Sequence, residues 1–223
     1  MVETTKDNKE IILDIISEAF KHVKNAYDLS NEPNSSKDSR LIFPKKRDES
    51  IRVSEQNIRE NEQNIRVSEQ ELRLAFVEEF LKYVKKKKKD WYYAVEVPTK
   101  IKYDFSDKKN PKVAEEGKGK SASFDLAIYA KGDNNFNLIA LLEFKAGNPK
   151  KFDYHKDLVK LENEKEGDNE VLRFFIEIVK NADERTPKNI ESKLKDKRQQ
   201  TNFICYSLTE GEKVLELTLS ENK

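Results

Sequence analysis

Three polar residues stand inside stretches that are otherwise apolar. Asp125 lies in FDLAIYA, and Glu143 and Lys145 lie in FNLIALLEFKA. A buried ionised carboxylate is costly unless a cation or hydrogen-bond donors meet it, so these positions call for a partner. The two stretches flank KGDNN, a turn-forming sequence, and together predict a β-hairpin. With the turn centred on Asn134, Asp125 faces Glu143 across the hairpin, about 5 Å away on the same side of the sheet. Period-2 alternation puts Lys145 on that side too. A turn shifted by one residue breaks the pairing. Two converging carboxylates repel each other, and a hard divalent cation relieves the repulsion. Mg²⁺ takes oxygen ligands and is commonly held by one or two carboxylates plus a substrate phosphate. A neighbouring ammonium would stabilise an attacking hydroxide or the charge gathering on phosphorus. The plainer alternative is a structural ion pair on a half-exposed sheet.

These residues need a framework to hold them. Residues 10–29 have apolar positions at helical spacing (Ile12, Ile15, Ile16, Ala19, Val23, Ala26, Tyr27) and predict an amphipathic helix. A polar linker with Pro33 follows. A sevenfold period then runs through IRVSEQN, IRENEQN and IRVSEQE over residues 51–71, predicting a helical spacer about 31 Å long. Only one position per repeat is reliably apolar, which makes a weak coiled-coil seam and favours a single helix lying on a neighbour; self-association through the repeat, as in a homodimer, is the alternative. Leu72, Ala75, Phe76, Phe80 and Tyr83 continue as a core helix. WYYAVEVP changes period and predicts a strand ending near Pro98, and Thr99–Lys120 is a basic hairpin or loop. Phe152–Glu164 and Glu184–Lys197 read as helices, the second with Pro187 in its first turn. Phe174–Val179, Asn202–Leu208 and Val214–Leu219 read as strands. This mixed order predicts an α/β fold around one sheet. The chain divides into an N-terminal helix and linker (1–50), the repeat segment (51–71) and a main domain (68–223).

The residues quoted above resemble the PD-(D/E)XK nuclease superfamily, which is marked by an Asp on one strand and Glu-x-Lys on the next. Here Asp125 is followed by seventeen residues and then Glu143-Phe144-Lys145, with Phe124 in place of the family's proline. The resemblance implies a restriction-endonuclease-like core of αβββαβ order, covering about residue 68 to the end. It implies that Asp125, Glu143 and the main-chain carbonyl of Phe144 hold Mg²⁺ or Mn²⁺, and that Lys145 positions a water or stabilises the transition state. Members often add a Glu from the helix before the first strand. Glu71 and Glu78 both qualify, and Glu71 in SEQELR is preferred. The helix after Lys145 would bring Lys156 and Lys160 to phosphates, and Lys118 and Lys120 would extend the nucleic-acid surface. The expected activity is metal-dependent hydrolysis of nucleic acid, DNA before RNA. The alternative is a catalytically silent nuclease fold that binds nucleic acid or serves assembly.

Composition narrows the other classes. The chain has 223 residues and 38% charged side chains, yet a net charge of only +1. Charge is unevenly spread: residues 82–120 hold thirteen lysines against six acids. Such a segment suits a polyanion, although Lys85–Lys89 would equally complement the negative end of a helix. Nothing approaches the ~20 apolar residues needed to cross a bilayer, and MVETTKDNKE lacks a signal segment, so a cytoplasmic location is expected. Cys205 is the only cysteine, which excludes an internal disulfide and a thiolate-rich zinc site. With His22 and His155 as its only histidines, a histidine metal cluster or a Ser-His-Asp triad is not expected. GKGK at 117–120 has neither the length nor the following helix of a phosphate-binding loop.

Overall fold

The computed structural model describes residues 5–37, 39–44, 65–107, 110–194 and 199–217. The elements are α1 (Thr5–Asn31), α2 (Glu69–Lys87), β1 (Trp91–Asp104), β2 (Lys112–Val113), β3 (Lys120–Lys131), β4 (Phe136–Ala146), α3 (Lys151–Leu161), β5 (Leu172–Val179), α4 (Thr186–Leu194), β6 (Asn202–Ser207) and β7 (Lys213–Leu217). The strands form one mixed sheet in the order β2-β1-β3-β4-β5-β6-β7. β1 to β4 pair antiparallel, β4, β5 and β6 run parallel, and β7 returns antiparallel. The two parallel steps each need a crossover, supplied by α3 and α4. Apolar residues of α1 and α2 share one core with one side of the sheet, and those of α3 and α4 share a second core with the other. This is an α/β architecture with helices on both faces. No helix among the described residues is long and apolar enough to cross a membrane.

Two irregularities set the phase of the strands. At the turn, Lys131 pairs with Phe136 and Tyr129 with Leu138, but further along Ile128 pairs with Ala140 and Leu126 with Leu142. Ile139 is therefore an extra residue in β4. Consistent with a bulge, Ile139 and Ala140 both enter the core beneath α1 and α2, while Leu138 and Leu141 face α3 and α4. This resets the alternation, so Leu142 and Phe144 face α2 and Glu143 and Lys145 turn to the α3 side. An unbulged β4 would present the opposite set. The second irregularity lies at Asp125. Leu126 packs beneath α1 and α2, yet Phe124 belongs to the α3 core, so the alternation breaks between them. The facing residue of β1, Glu96, has φ +51°. That is a left-handed conformation costly for a residue with a side chain, and sites of function commonly hold such strain.

The structure departs from the sequence reading in several places. β1 continues past Pro98 to Asp104, because the edge of β1 opposite β3 carries no partner at Pro98 and no ladder bond is lost there. Most of the sevenfold repeat lies outside the described residues. Its last unit does not continue as a helix: Ile65–Ser68 is non-helical, with Ile65 buried and the Arg66 N–H on the Pro44 carbonyl, and α2 begins at Glu69. Nor is the N-terminal helix separate from the main core. Eight buried residues of α1 lie in the sheet's core, and the Phe20 ring stacks on Tyr206 of β6 at 4.1 Å.

Candidate active site

The carboxyl end of β4, the start of α2 and the inner face of α3 meet at one place. β4 and β5 are parallel here, and crevices at the carboxyl ends of parallel strands are where open α/β sheets commonly bind ligands. Asp125 accepts the Phe144 N–H at 2.8 Å on Oδ2, so its carboxylate takes a position a ladder bond would otherwise hold. Lys145 Nζ lies 2.8 Å from Asp157 Oδ2 of α3 and 3.4 Å from Glu69 Oε1 of α2, and donates to the Phe144 carbonyl at 3.3 Å. Glu143, 1% exposed, accepts a short hydrogen bond from Lys160. The same ammonium donates to the Ser123 carbonyl at 2.8 Å and lies 3.0 Å from Asp157 Oδ1. Glu69, Gln70, Arg73, Glu96, Asp125 and Phe144 line a small cleft beside this cluster. Within it Arg73 is paired with Glu96, which also accepts from Ser123 Oγ at 3.1 Å.

Glu69, Asp125, Glu143 and Asp157 are four carboxylates facing two ammoniums, Lys145 and Lys160. Burial pushes the Glu143 carboxyl well above the usual carboxylate range, and repulsion from Asp157 and Asp125 adds to this against the pull of Lys160. Burial likewise raises Glu69. Asp157 goes the other way: burial alone would raise it, but Lys160 and Lys145 hold it down. Burial works against protonation of Lys145, yet Asp157 and Glu69 overcome it and keep its pKa above the ordinary lysine value. These partners favour the protonated form of Lys145.

Asp125, Glu143, Lys145 and Phe144 are brought together at this end of the sheet, and Glu71 is not. Its carboxylate accepts from the Ser68 hydroxyl at the start of α2. Glu69, two residues earlier, is the acid of this helix that reaches Lys145. The spacing Ser68-x-x-Glu71 before an apolar run is that of a capping box, although the two side chains bond each other rather than the backbone N–H groups. Lys160 is buried inside the cluster and is not a surface contact. Lys156 is exposed, its ammonium 5.6 Å from the Phe105 ring. Lys118 and Lys120 are exposed, and Lys118 pairs with Glu115. Asp157 went unread in the sequence, although it and Lys160 interrupt the stripe of Tyr154, Leu158 and Leu161 that α3 buries. His155 bonds the Lys193 carbonyl at 3.0 Å, and Cys205 is buried in the core.

The side chains and the one carbonyl that converge here offer oxygen ligands, the type a hard divalent cation such as Mg²⁺ or Mn²⁺ takes. Among the described residues, the one set of three acidic or histidine side chains whose ligand atoms lie close enough together to share a metal is elsewhere, His22, Glu78 and Glu79 between α1 and α2. There Lys82 Nζ sits 2.9 Å from a carboxylate oxygen of each glutamate and offsets one of their two charges. Comparison of the chain with models of protein families, with curated proteins and with solved structures gave no match.

Proposed function

We propose that the chain is a metal-dependent nuclease of the PD-(D/E)XK type that hydrolyses phosphodiester bonds, with DNA as its first substrate. On this reading α2, β1, β3, β4, α3 and β5 form a restriction-endonuclease-like core. The observation that carries it is the approach of Asp125, Glu143, Phe144 and Lys145, joined by Glu69, at the carboxyl end of β4. Asp125, Glu143 and the Phe144 carbonyl would hold the cation. When bound, Mg²⁺ or Mn²⁺ would acidify a water and polarise a phosphate oxygen. Lys145, kept protonated by Asp157 and Glu69, donates to the phosphate oxygen on which negative charge develops. Glu69 is the more exposed carboxylate and can accept a proton from a water approaching along the cleft.

The test is cleavage of duplex DNA, single-stranded DNA and RNA with Mg²⁺ and with EDTA. Lys145→Ala and Asp125→Ala should each lower the rate by about 10²-fold or more while the far-ultraviolet circular dichroism stays unchanged. Cleavage at the wild-type rate by both variants would remove the proposal. One observation favours the silent alternative: Glu143, a ligand in the proposed site, is already engaged by Lys160. A gel shift with DNA but no cleavage under any divalent cation would select that reading.

A further inference from the structure

The engagement of Glu143 has a simple physical origin. Its carboxylate is 1% exposed, so water cannot solvate it, and its hydrogen-bond partner among the described residues is Lys160. The three N–H groups of Lys160 meet three acceptors: the Ser123 carbonyl, Glu143 and Asp157. Asp157 sits one turn earlier on the same helix and carries both lysines, on separate oxygens. Lys145 likewise lies against the Phe144 carbonyl. Two of the three oxygen donors that would take a cation are thus held by ammoniums.

We propose that Lys160 is an internal stand-in for the metal. It neutralises Glu143 while the site holds no divalent cation, and it withdraws onto Asp157 when one binds. The inference rests on the nuclease reading only for which cation enters. A lysine suits the role because its ammonium is a compact point charge on a flexible stem. The exchange breaks a single contact, since the bonds to Asp157 and to the Ser123 carbonyl survive it. Asp157 is then a positioning residue, holding Lys145 toward the cleft and giving Lys160 a second partner.

Titrating the full-length protein with Mn²⁺ by calorimetry tests this without recourse to activity. Lys160→Met should bind Mn²⁺ about tenfold more tightly than wild type, and Asp157→Asn about tenfold more weakly. Lys156→Met removes an exposed charge from the same helix and should change affinity less than about twofold. Lys160→Met should also melt earlier without metal and recover with Mn²⁺. If it does not fold alone, refolding in Mn²⁺ followed by unfolding on EDTA supports the exchange, and failure to refold in Mn²⁺ overturns it. Equal or weaker Mn²⁺ binding by Lys160→Met overturns it as well. If that occurs while wild type cleaves DNA, the nuclease reading stands alone. If Lys160→Met gains affinity while no form cleaves, the exchange stands and the nuclease reading falls.

Discussion

Glu177 on β5 neighbours Lys145 in register but has a different fate. One oxygen accepts the Tyr154 hydroxyl at 2.6 Å and the other, fully buried, has no hydrogen bond. Burial pushes this carboxyl up to about 7, against the lowering by Tyr154. The folded state therefore holds the proton more tightly than the unfolded chain does. Stability from Glu177 is fully present below about 4.5 and is lost as pH rises through about 7. Glu177→Gln should raise stability at pH 8 by up to about 3 kcal/mol and flatten the dependence between pH 5 and 7. Urea unfolding at the two ends of that range measures both. A second pair of substitutions separates the neighbouring acids of α2. If the chain is the proposed nuclease, Glu69→Gln should slow cleavage about tenfold or more. Glu71→Gln should leave the rate intact and cost about 1 kcal/mol as a weakened helix start. Rate and urea midpoint, measured together, distinguish the two. Asp125, Glu143 and Lys145 were legible because charges in apolar strands contradict their surroundings. Glu69 was hidden by the opposite circumstance: an exposed acid in a first helical turn looks like any other.

At the scale of elements, the lysine run and the site occupy opposite ends of α2. Eighteen residue steps separate Glu69 from Lys87, about 27 Å along the axis. The run Lys85–Lys89 is thus far from Asp125, and its charges complement the carboxyl end of the helix. Another group of lysines, Lys100, Lys102 and Lys120, belongs to the arm formed where β1 and β3 extend past Pro98 and Ser123, with Lys118 in the loop that leads into β3. Glu166, 2% exposed in the loop after α3, pins this arm. It accepts the Lys100 N–H at 2.8 Å, the Ile101 N–H at 3.4 Å and the Tyr103 hydroxyl at 2.8 Å. On the nuclease reading, Glu166→Gln should loosen the arm and weaken DNA binding roughly threefold to tenfold without altering Mn²⁺ affinity. Fluorescence anisotropy with a labelled duplex, beside calorimetry with Mn²⁺, checks the separation. The hairpin, both crossover helices and β5 to β7 were readable from period and turn chemistry. The continuation of β1 was not, because a proline ends a strand only where its N–H is needed, and strand order decides that.

For the whole molecule, the decisive addition is α1. Its apolar stripe was plain in the sequence, but a stripe says only that a helix face is buried, not against what. Here it covers the sheet beside α2, with Phe20 on Tyr206, 60 residues of chain after the last strand of the hairpin ends at Ala146. Phe20→Ala should cost about 3–5 kcal/mol in a single cooperative urea transition that includes the site. Two separate transitions would mean that α1 is a unit of its own.

The extra residue at Ile139 uncouples the tip of the hairpin from the strand behind it. β4 is gripped beyond that point by β5, with Glu143 opposite Phe175, so its carboxyl end keeps its place whatever the tip does. Residues 132–135 thus offer a tolerant opening in the chain. A short peptide tag spliced between Asp133 and Asn134 should leave the proposed activity untouched, whereas excising Ile139 would turn Glu143 and Lys145 to the other side of the sheet.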